Sequence, residues 1–186
     1  GEEGVERVAS VQASKLTTIR KSHAATLETA RAKMITSGDI YAPNGTVVGN
    51  VYTDFGVTRK QVAMDLTNAA TDILGKQREI VDHIQDNIMS GETPSEIIAL
   101  CSPSYFDAYI AQAGVKEAYK FYTSTQEPLR NGNWSQFRHG DITLIRYNGK
   151  FKDASGVPQA LIPDGDAYYL PLDTSDTFKT YFSPAD

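Results

Sequence analysis

Apolar residues recur at a helical period from the start of the chain. Leu16, Ile19, His23, Leu27, Ala30 and Met34 stand three or four positions apart, and Lys15, Arg20, Lys21, Glu28, Arg31 and Lys33 fall mostly off that stripe. Val5, Val8 and Ala9 extend the pattern backwards, and Ser37-Gly38 supplies a stop, because glycine accepts the left-handed conformation that ends helices. The spacing predicts one helix over residues 1–38, about three times the mean length of a globular helix. Its apolar stripe is thin, with threonines at 17, 18, 26 and 29. Such a helix is a strut rather than the centre of a core, and His23 within the stripe reads as a packed or interface imidazole.

Pro43-Asn44-Gly45 then separates two apolar stretches, a short-range hairpin signal that predicts strands at 39–42 and 46–55. A hairpin this small cannot bury its own face and must pack on something else. From Thr58 the pattern is helical again. Leu66, Ala70, Ile73, Gln77, Ile80, Ile84 and Ile88 predict a helix over 66–90, with Gly75 its weak point and Ser90-Gly91 its end. Ile97–Cys101 is short and uniformly apolar, which predicts a buried strand, although Thr93-Pro94-Ser95-Glu96 also matches a helix-start box. Ser102-Pro103 caps the next helix, with Tyr105, Phe106, Tyr109 and Ile110 on its apolar side. A second short helix, 115–122, follows a break at Gly114.

Beyond Glu127-Pro128 the pattern turns to β. Residues 141–147 alternate, Asn148-Gly149 signals a hairpin, and 160–162, 167–170 and 177–182 read as further apolar or strand segments around the turn Pro163-Asp164-Gly165. The expected class is α+β, with the 66–90 helix packed on a sheet containing 97–101, 141–147 and 167–171.

Composition narrows the function. Forty per cent of the 186 residues are apolar and 22% charged, as in ordinary globular proteins. Eighteen Lys and Arg against 23 Asp and Glu leave a net charge of −5, without the basic footprint of a dedicated nucleic-acid binder. No apolar run approaches the ~20 residues of a membrane span. The single cysteine, Cys101, has no internal disulfide partner; its apolar neighbours predict a buried thiol and a reducing interior.

Candidate chemistry is sparse. Asp82, His83 and Asp86 place two acids and an imidazole within one helical turn, but no H-E-x-x-H spacing accompanies them and all three lie largely outside the Ile80/Ile84/Ile88 stripe, which predicts a solvated face. Cys101-Ser102 lacks a G-x-S-x-G elbow, and Pro103 makes Ser102 a helix cap. Asp164-Gly165-Asp166 lacks the remaining ligands of a calcium loop, and Gly149-Lys150 lacks the earlier glycine of a phosphate loop. No catalytic, cofactor-binding or metal-binding set emerges.

The order of segments resembles a known family. A long helix, a short hairpin ending Val51-Tyr-Thr-Asp-Phe-Gly56, and then an α+β domain is the order found in tailed-phage major capsid proteins with the Hong Kong 97 fold. More closely, the chain is similar to the lambda-type major head protein family, phage capsid protein E. The similarity runs through Val115-Lys-Glu-Ala-Tyr-Lys120, Phe137-Arg-His-Gly-Asp-Ile-Thr-Leu-Ile-Arg-Tyr147, Leu161-Ile-Pro-Asp-Gly-Asp-Ala-Tyr-Tyr-Leu-Pro171 and Thr180-Tyr-Phe-Ser-Pro-Ala-Asp186, nearly the whole chain.

The resemblance implies a spine helix at 1–38, a peripheral-domain hairpin at 39–57 and an axial domain at 58–186. It implies a structural protein without enzymatic activity or cofactor. Its partners would be copies of itself in pentamers and hexamers, with scaffolding, decoration and portal proteins. Packaged double-stranded DNA would be non-specific cargo, from which an acidic inner surface slides freely. It places the protein in the virion, assembled in the bacterial host cytoplasm, with no membrane. Family members carry an N-terminal arm and extended loop before the spine helix and a further peripheral strand at the end, so the chain, which begins at Gly1, resembles the middle and late part of a head protein. The axial aromatics Tyr105, Tyr109, Tyr119, Phe121, Tyr122 and Trp134 then offer a contact surface, with Tyr109 and Phe121 assigned to the core. The alternative reading is a small-ligand- or metal-binding α+β domain with a hydrolytic site around Asp82, His83 and Asp86.

Overall fold

The computed structural model describes residues 2–42, 45–88, 91–125, 136–152 and 157–178. The chain divides into two compact units, residues 1–59 with 150–161, and residues 60–149 with 162–186.

The first unit is built on α1 (Glu2–Ser37). Gly38, at φ +78°, ends it, and its N–H donates to the carbonyls of Lys33 (3.1 Å) and Met34 (3.0 Å). No other residue fits there: a Cβ would sit 2.5 Å from the Tyr52 ring. β1 (Asp39–Tyr41) and β2 (Val47–Asn50) pair antiparallel, Asp39 opposite Asn50, and Ala42 N–H donates to Thr46 O (2.8 Å) at the turn. Pro43 and Asn44 lie outside the described residues. The expected strand over 46–55 stops at Asn50. There the Asn50 side chain accepts from the N–H groups of Tyr52 and Thr53 and caps a four-residue helix, α2 (Val51–Asp54). β6 (Lys150–Lys152) and β7 (Pro158–Ala160) form a second antiparallel pair in this unit.

The second unit holds the sheet. Its strands are β3 (Glu96–Cys101), β4 (Gln136–His139), β5 (Ile142–Arg146) and β8 (Ala167–Leu172), in the order β4-β5-β3-β8. β3 runs parallel to β5, with Ile97 opposite Ile142, and antiparallel to β8, with Ala99 opposite Tyr169. The three expected strands thus share one sheet, and the molecule is α+β. Alternation puts Ile97, Ala99 and Cys101 of β3 and Ile142 and Leu144 of β5 on the buried face. Ile73 and Ile80 of α3 (Ile73–Asn87), Tyr105, Phe106 and Tyr109 of α4 (Pro103–Ala111) and Val115 of α5 (Ala113–Thr125) complete the core.

Several boundaries differ from the sequence expectation. The helix expected over 66–90 spans only Ile73–Asn87, because Asp72 caps it, accepting from Gly75 N–H at 2.9 Å. Gly75 is therefore a first-turn residue beside the capping carboxylate, not a mid-helix weakness. Residues 61–72 carry no helix; Met64 is buried and Val62 and Leu66 pack on the core from an irregular segment pinned by Thr71 N–H to Asn68 O (3.2 Å). Thr93–Glu96 starts no helix: Ser95 N–H donates to Leu172 O, extending the β3–β8 edge. The break before α5 lies at Gln112, whose side chain accepts from Gly114 and Val115 N–H (2.6 and 3.2 Å), so Gly114 is helical. Asn148-Gly149 closes no hairpin with β5, since β4 and β3 already occupy both edges of that strand. Thr177 and Phe178 are not strand, and 179–182 lie outside the described residues.

Candidate assembly surface

α1 carries the most exposed apolar surface of the first unit. Every side chain from residue 9 to 28 is exposed, including Leu16, Leu27 and Ile19, the last at 63%. At about 100° of turn per residue, Leu16, Ile19, His23, Leu27, Ala30 and Met34 form one seam. Lys15 and Lys33 border it on one side and Arg20 and Arg31 on the other. The interleaved threonines are locally satisfied. Thr17, Thr18, Thr26 and Thr29 each donate to the carbonyl four residues back, at 2.8–3.0 Å, so they present methyl groups outward. His23, expected in a packed or interface position, is exposed within this chain.

The C-terminal end of α1 is held tightly. Asn50 Nδ2 donates to Ser37 O and to Asp39 Oδ1, both at 2.9 Å, while its Oδ1 caps α2. Ser37 Oγ donates to the other Asp39 oxygen at 2.7 Å. The hydrogen bonds from Ser37 and Asn50 hold the Asp39 carboxyl below its ordinary range. Tyr52 Oη and Arg59 donate to the carbonyls of Ile35 and Thr36, which α1 itself leaves unpaired. Lys33 Nζ lies 4.9 Å from the centroid of the Phe151 ring. Near this joint in the chain Val47, Val48, Val57 and Phe55, the last at 75%, are exposed as well. The sequence signalled the α1 seam but not the joint; Asn50 followed by Asp54, which accepts from Asn50 N–H at 3.0 Å, was the available cue.

The residues of the hydrolytic alternative do not make a site. Asp82, His83 and Asp86 are exposed on α3, and His83 is engaged by its neighbour Asn87, whose Nδ2 lies 3.3 Å from Nδ1 and donates to His83 O. Among the described residues, no cluster of three or more His, Cys, Asp or Glu could hold a metal ion. Cys101 is fully buried, and burial pushes its thiol up to about 12, far from nucleophilic range. Ser102 Oγ accepts from Tyr105 N–H (3.3 Å) and Gly165 N–H (3.1 Å), so it is a cap that also fastens the 163–166 turn.

Most of the axial aromatics are not surface either. Tyr105 and Tyr109 are buried and stacked at 6.1 Å, and Tyr105 shares a hydroxyl–hydroxyl bond of 2.8 Å with Tyr169. Tyr109 is core, as expected; Tyr105, expected at a contact surface, is core as well. Tyr119 is half-buried, edge-on to Phe137 at 5.0 Å. The side chains of Phe121 and Tyr122, and all of Trp134, lie outside the described residues, as does the stretch 180–186. No helix is long and apolar enough to cross a membrane among the described residues.

Among the described residues α1, held at its C-terminal end, presents uncovered apolar surface, and no metal-ligating cluster accompanies it. Known proteins resemble the chain along its whole length. The chain is 35% identical over 199 residues to the major capsid protein of Pseudomonas phage KPP10, a match covering 100% of this chain and 57% of that protein. It is 27% identical over 170 residues to the major capsid protein of Salmonella phage Felix O1 (isolate Felix O1-VT1), covering 82% of this chain and 45% of the relative. The chain thus spans about half the length of the curated relatives it matches. The family model for phage major capsid protein E matches residues 1–186, and the chain belongs to that family, which is structural and not enzymatic.

Proposed function

We propose that the chain is a shell-building part of a phage head protein with the Hong Kong 97 fold, associating with copies of itself into an icosahedral capsid that encloses double-stranded DNA. In this reading α1, within 1–38, is the spine helix. Residues 39–57 belong to the peripheral domain, to which we add β6 and β7 because they fall in the same compact unit. The axial domain is built from the remainder of 58–186. The protein resides in the virion after assembly in the host cytoplasm as pentamers and hexamers, with scaffolding, decoration and portal proteins as further partners.

The observation that carries the reading is the cation-bordered seam of α1. Residues 9–37 hold five cations against one carboxylate, a net of +4, whereas residues 38–186 hold 12 cations against 19 carboxylates, a net of −7. Two α1 helices laid side by side would bring basic borders together. The seam therefore suits the acidic body of another copy, with apolar contact for affinity and charge for register. The test is the double charge reversal R20E/R31E in the full-length head protein. We expect soluble, helical protein that yields no closed shells by electron microscopy. Normal shells from that variant would remove α1 from the assembly contact.

A further inference from the structure

Three side chains from three elements meet inside the second unit. Gln77 of α3, Tyr109 of α4 and His139 of β4 are all buried. Gln77 Nε2 donates to Tyr109 Oη at 2.6 Å and to the backbone carbonyl of His139 at 3.2 Å, which uses both of its hydrogens. Tyr109 Oη lies 2.8 Å from His139 Nδ1. Because Tyr109 accepts from Gln77, its own proton points to Nδ1. Nδ1 is thus the acceptor, and the imidazole is neutral with its hydrogen on Nε2.

We propose that Gln77, Tyr109 and His139 form an acid-labile lock, in which the neutral imidazole fastens α3 and α4 to the edge strand β4 and protonation of His139 releases them. An imidazolium carries a hydrogen on both nitrogens. Nδ1–H would then face the Tyr109 hydroxyl, whose proton has one other polar neighbour, the Gln77 amide donor. One hydrogen is left without an acceptor inside the core, and the charge has no partner. His139 keeps 9% of its surface open to solvent, and the rings packed on it bring no charge. Phe137 stacks on the ring at 5.6 Å, Tyr109 meets it edge-on at 5.8 Å, and Tyr119 of α5 lies one ring further away, across Phe137. On β5 the opposing residue is Ile142. Arg138 and Asp141, the nearest charges along the chain, are exposed. Tyr109 is the titratable group bonded to the ring, and burial pushes its hydroxyl far above the ordinary range, so it stays protonated. Burial likewise holds His139 below its ordinary range. Among the described residues β4 pairs on one side only, with β5, so loss of the lock frees an edge rather than the sheet centre.

The sign follows from linkage. With the folded imidazole depressed, the unfolded chain takes up the proton first. The lock's contribution is whole above about pH 6.5, and below it the folded-to-unfolded ratio falls by up to about tenfold per pH unit until His139 itself titrates. The chain has three histidines, and His23 and His83 are exposed, so H23N/H83N leaves His139 as the one imidazole. In that variant we expect the NMR titration of the remaining imidazole to fall clearly below pH 6.5. In H139Q the glutamine oxygen accepts from Tyr109 without titrating, and we expect the decline in urea midpoint between pH 6.5 and 5 to flatten. An imidazole titrating at or above pH 6.5 overturns the proposal, as does an H139Q protein with the wild-type pH dependence. Should H139Q not fold, the titration of H23N/H83N decides alone.

Discussion

α1 and α3 carry the same kind of sequence signal and meet opposite fates. Both place apolar residues at a helical period. α3 buries Ile73, Gln77 and Ile80 against the sheet within 15 residues, whereas α1 runs 36 residues and leaves Leu16, Ile19, Leu27 and Met34 exposed. Periodicity therefore specifies the helix but not its cover. The cover depends on whether the same chain supplies a facing surface, and for α3 the sheet does so. For α1 no facing surface covers the seam among the described residues: the threonine hydroxyls turn back on their own backbone, and cations line its borders.

The sharpest way to break this comparison is to delete equivalent apolar groups on the two sides of it. Leu144→Ala, at the fully buried centre of β5, should cost about 2–5 kcal/mol in urea unfolding, from lost burial and the cavity left behind. Ile19→Ala on α1 should stay within about 0.5 kcal/mol, as exposed substitutions do. Comparable losses at the two positions would mean that the isolated chain already covers its seam.

The joint at the end of α1 allows a finer cut. Asn50→Ala removes the α2 cap together with the bonds to Ser37 O and Asp39, and should cost about 1–2 kcal/mol. The loss should be local. Amide hydrogen exchange should accelerate through residues 33–57, with β3 and β5 unchanged, because opening follows local burial. Within the unaltered protein, residues 9–28 should already exchange faster than α3. Slow, uniform exchange across both helices would erase the difference between them.

Where the sequence was legible, the determinant was local. Ser102-Pro103 marks the start of α4 because a cap and a first-turn proline act within four residues, and β3 reads as buried because Ile97–Cys101 is uniformly apolar. Misreadings arose where a competing local cap or a distant element decided. Leu66 and Ala70 fit the spacing of α3, yet Asp72 starts that helix later, and Met64 reaches the core without one. Asn148-Gly149 has hairpin chemistry, but β5 had no free edge to offer. β4 escaped notice because its inward positions are Phe137 and His139, and an imidazole counts as apolar only once Tyr109 supplies its partner. The candidate surface divides the same way. The seam on α1 was visible in the spacing, and its thin stripe already marked a strut outside the core; how far the seam stays uncovered depends on the rest of the chain.

The smallest expected effect lies at the rim of the second unit, where the Glu92 carboxylate helps to fasten the segment after β8. Glu92 accepts from Ser175 Oγ at 3.0 Å, from Asp176 N–H and from Thr177 Oγ1. These donors hold its carboxyl down to about 2, the Thr177 hydroxyl contributing most. A carboxyl depressed by folding stabilises the fold above its unfolded range, near 4.5, and the contribution is lost as pH falls from there toward about 2. The loss begins near pH 4.5 here and near 6.5 for His139, so the two onsets are distinct on the pH axis. Glu92→Gln keeps one acceptor oxygen and removes the charge. Residues 173–178 should then exchange amide hydrogens faster at pH 7, with α3 and the sheet centre unaltered, and the remaining acid dependence below pH 4.5 should shrink. Unchanged exchange in that segment would show that Ser95, which donates to Asp173, holds it without Glu92. The rim would then be fixed from β3 alone, and the contrast between a sheet secured at several points and a helix secured at one end would be weaker than drawn here.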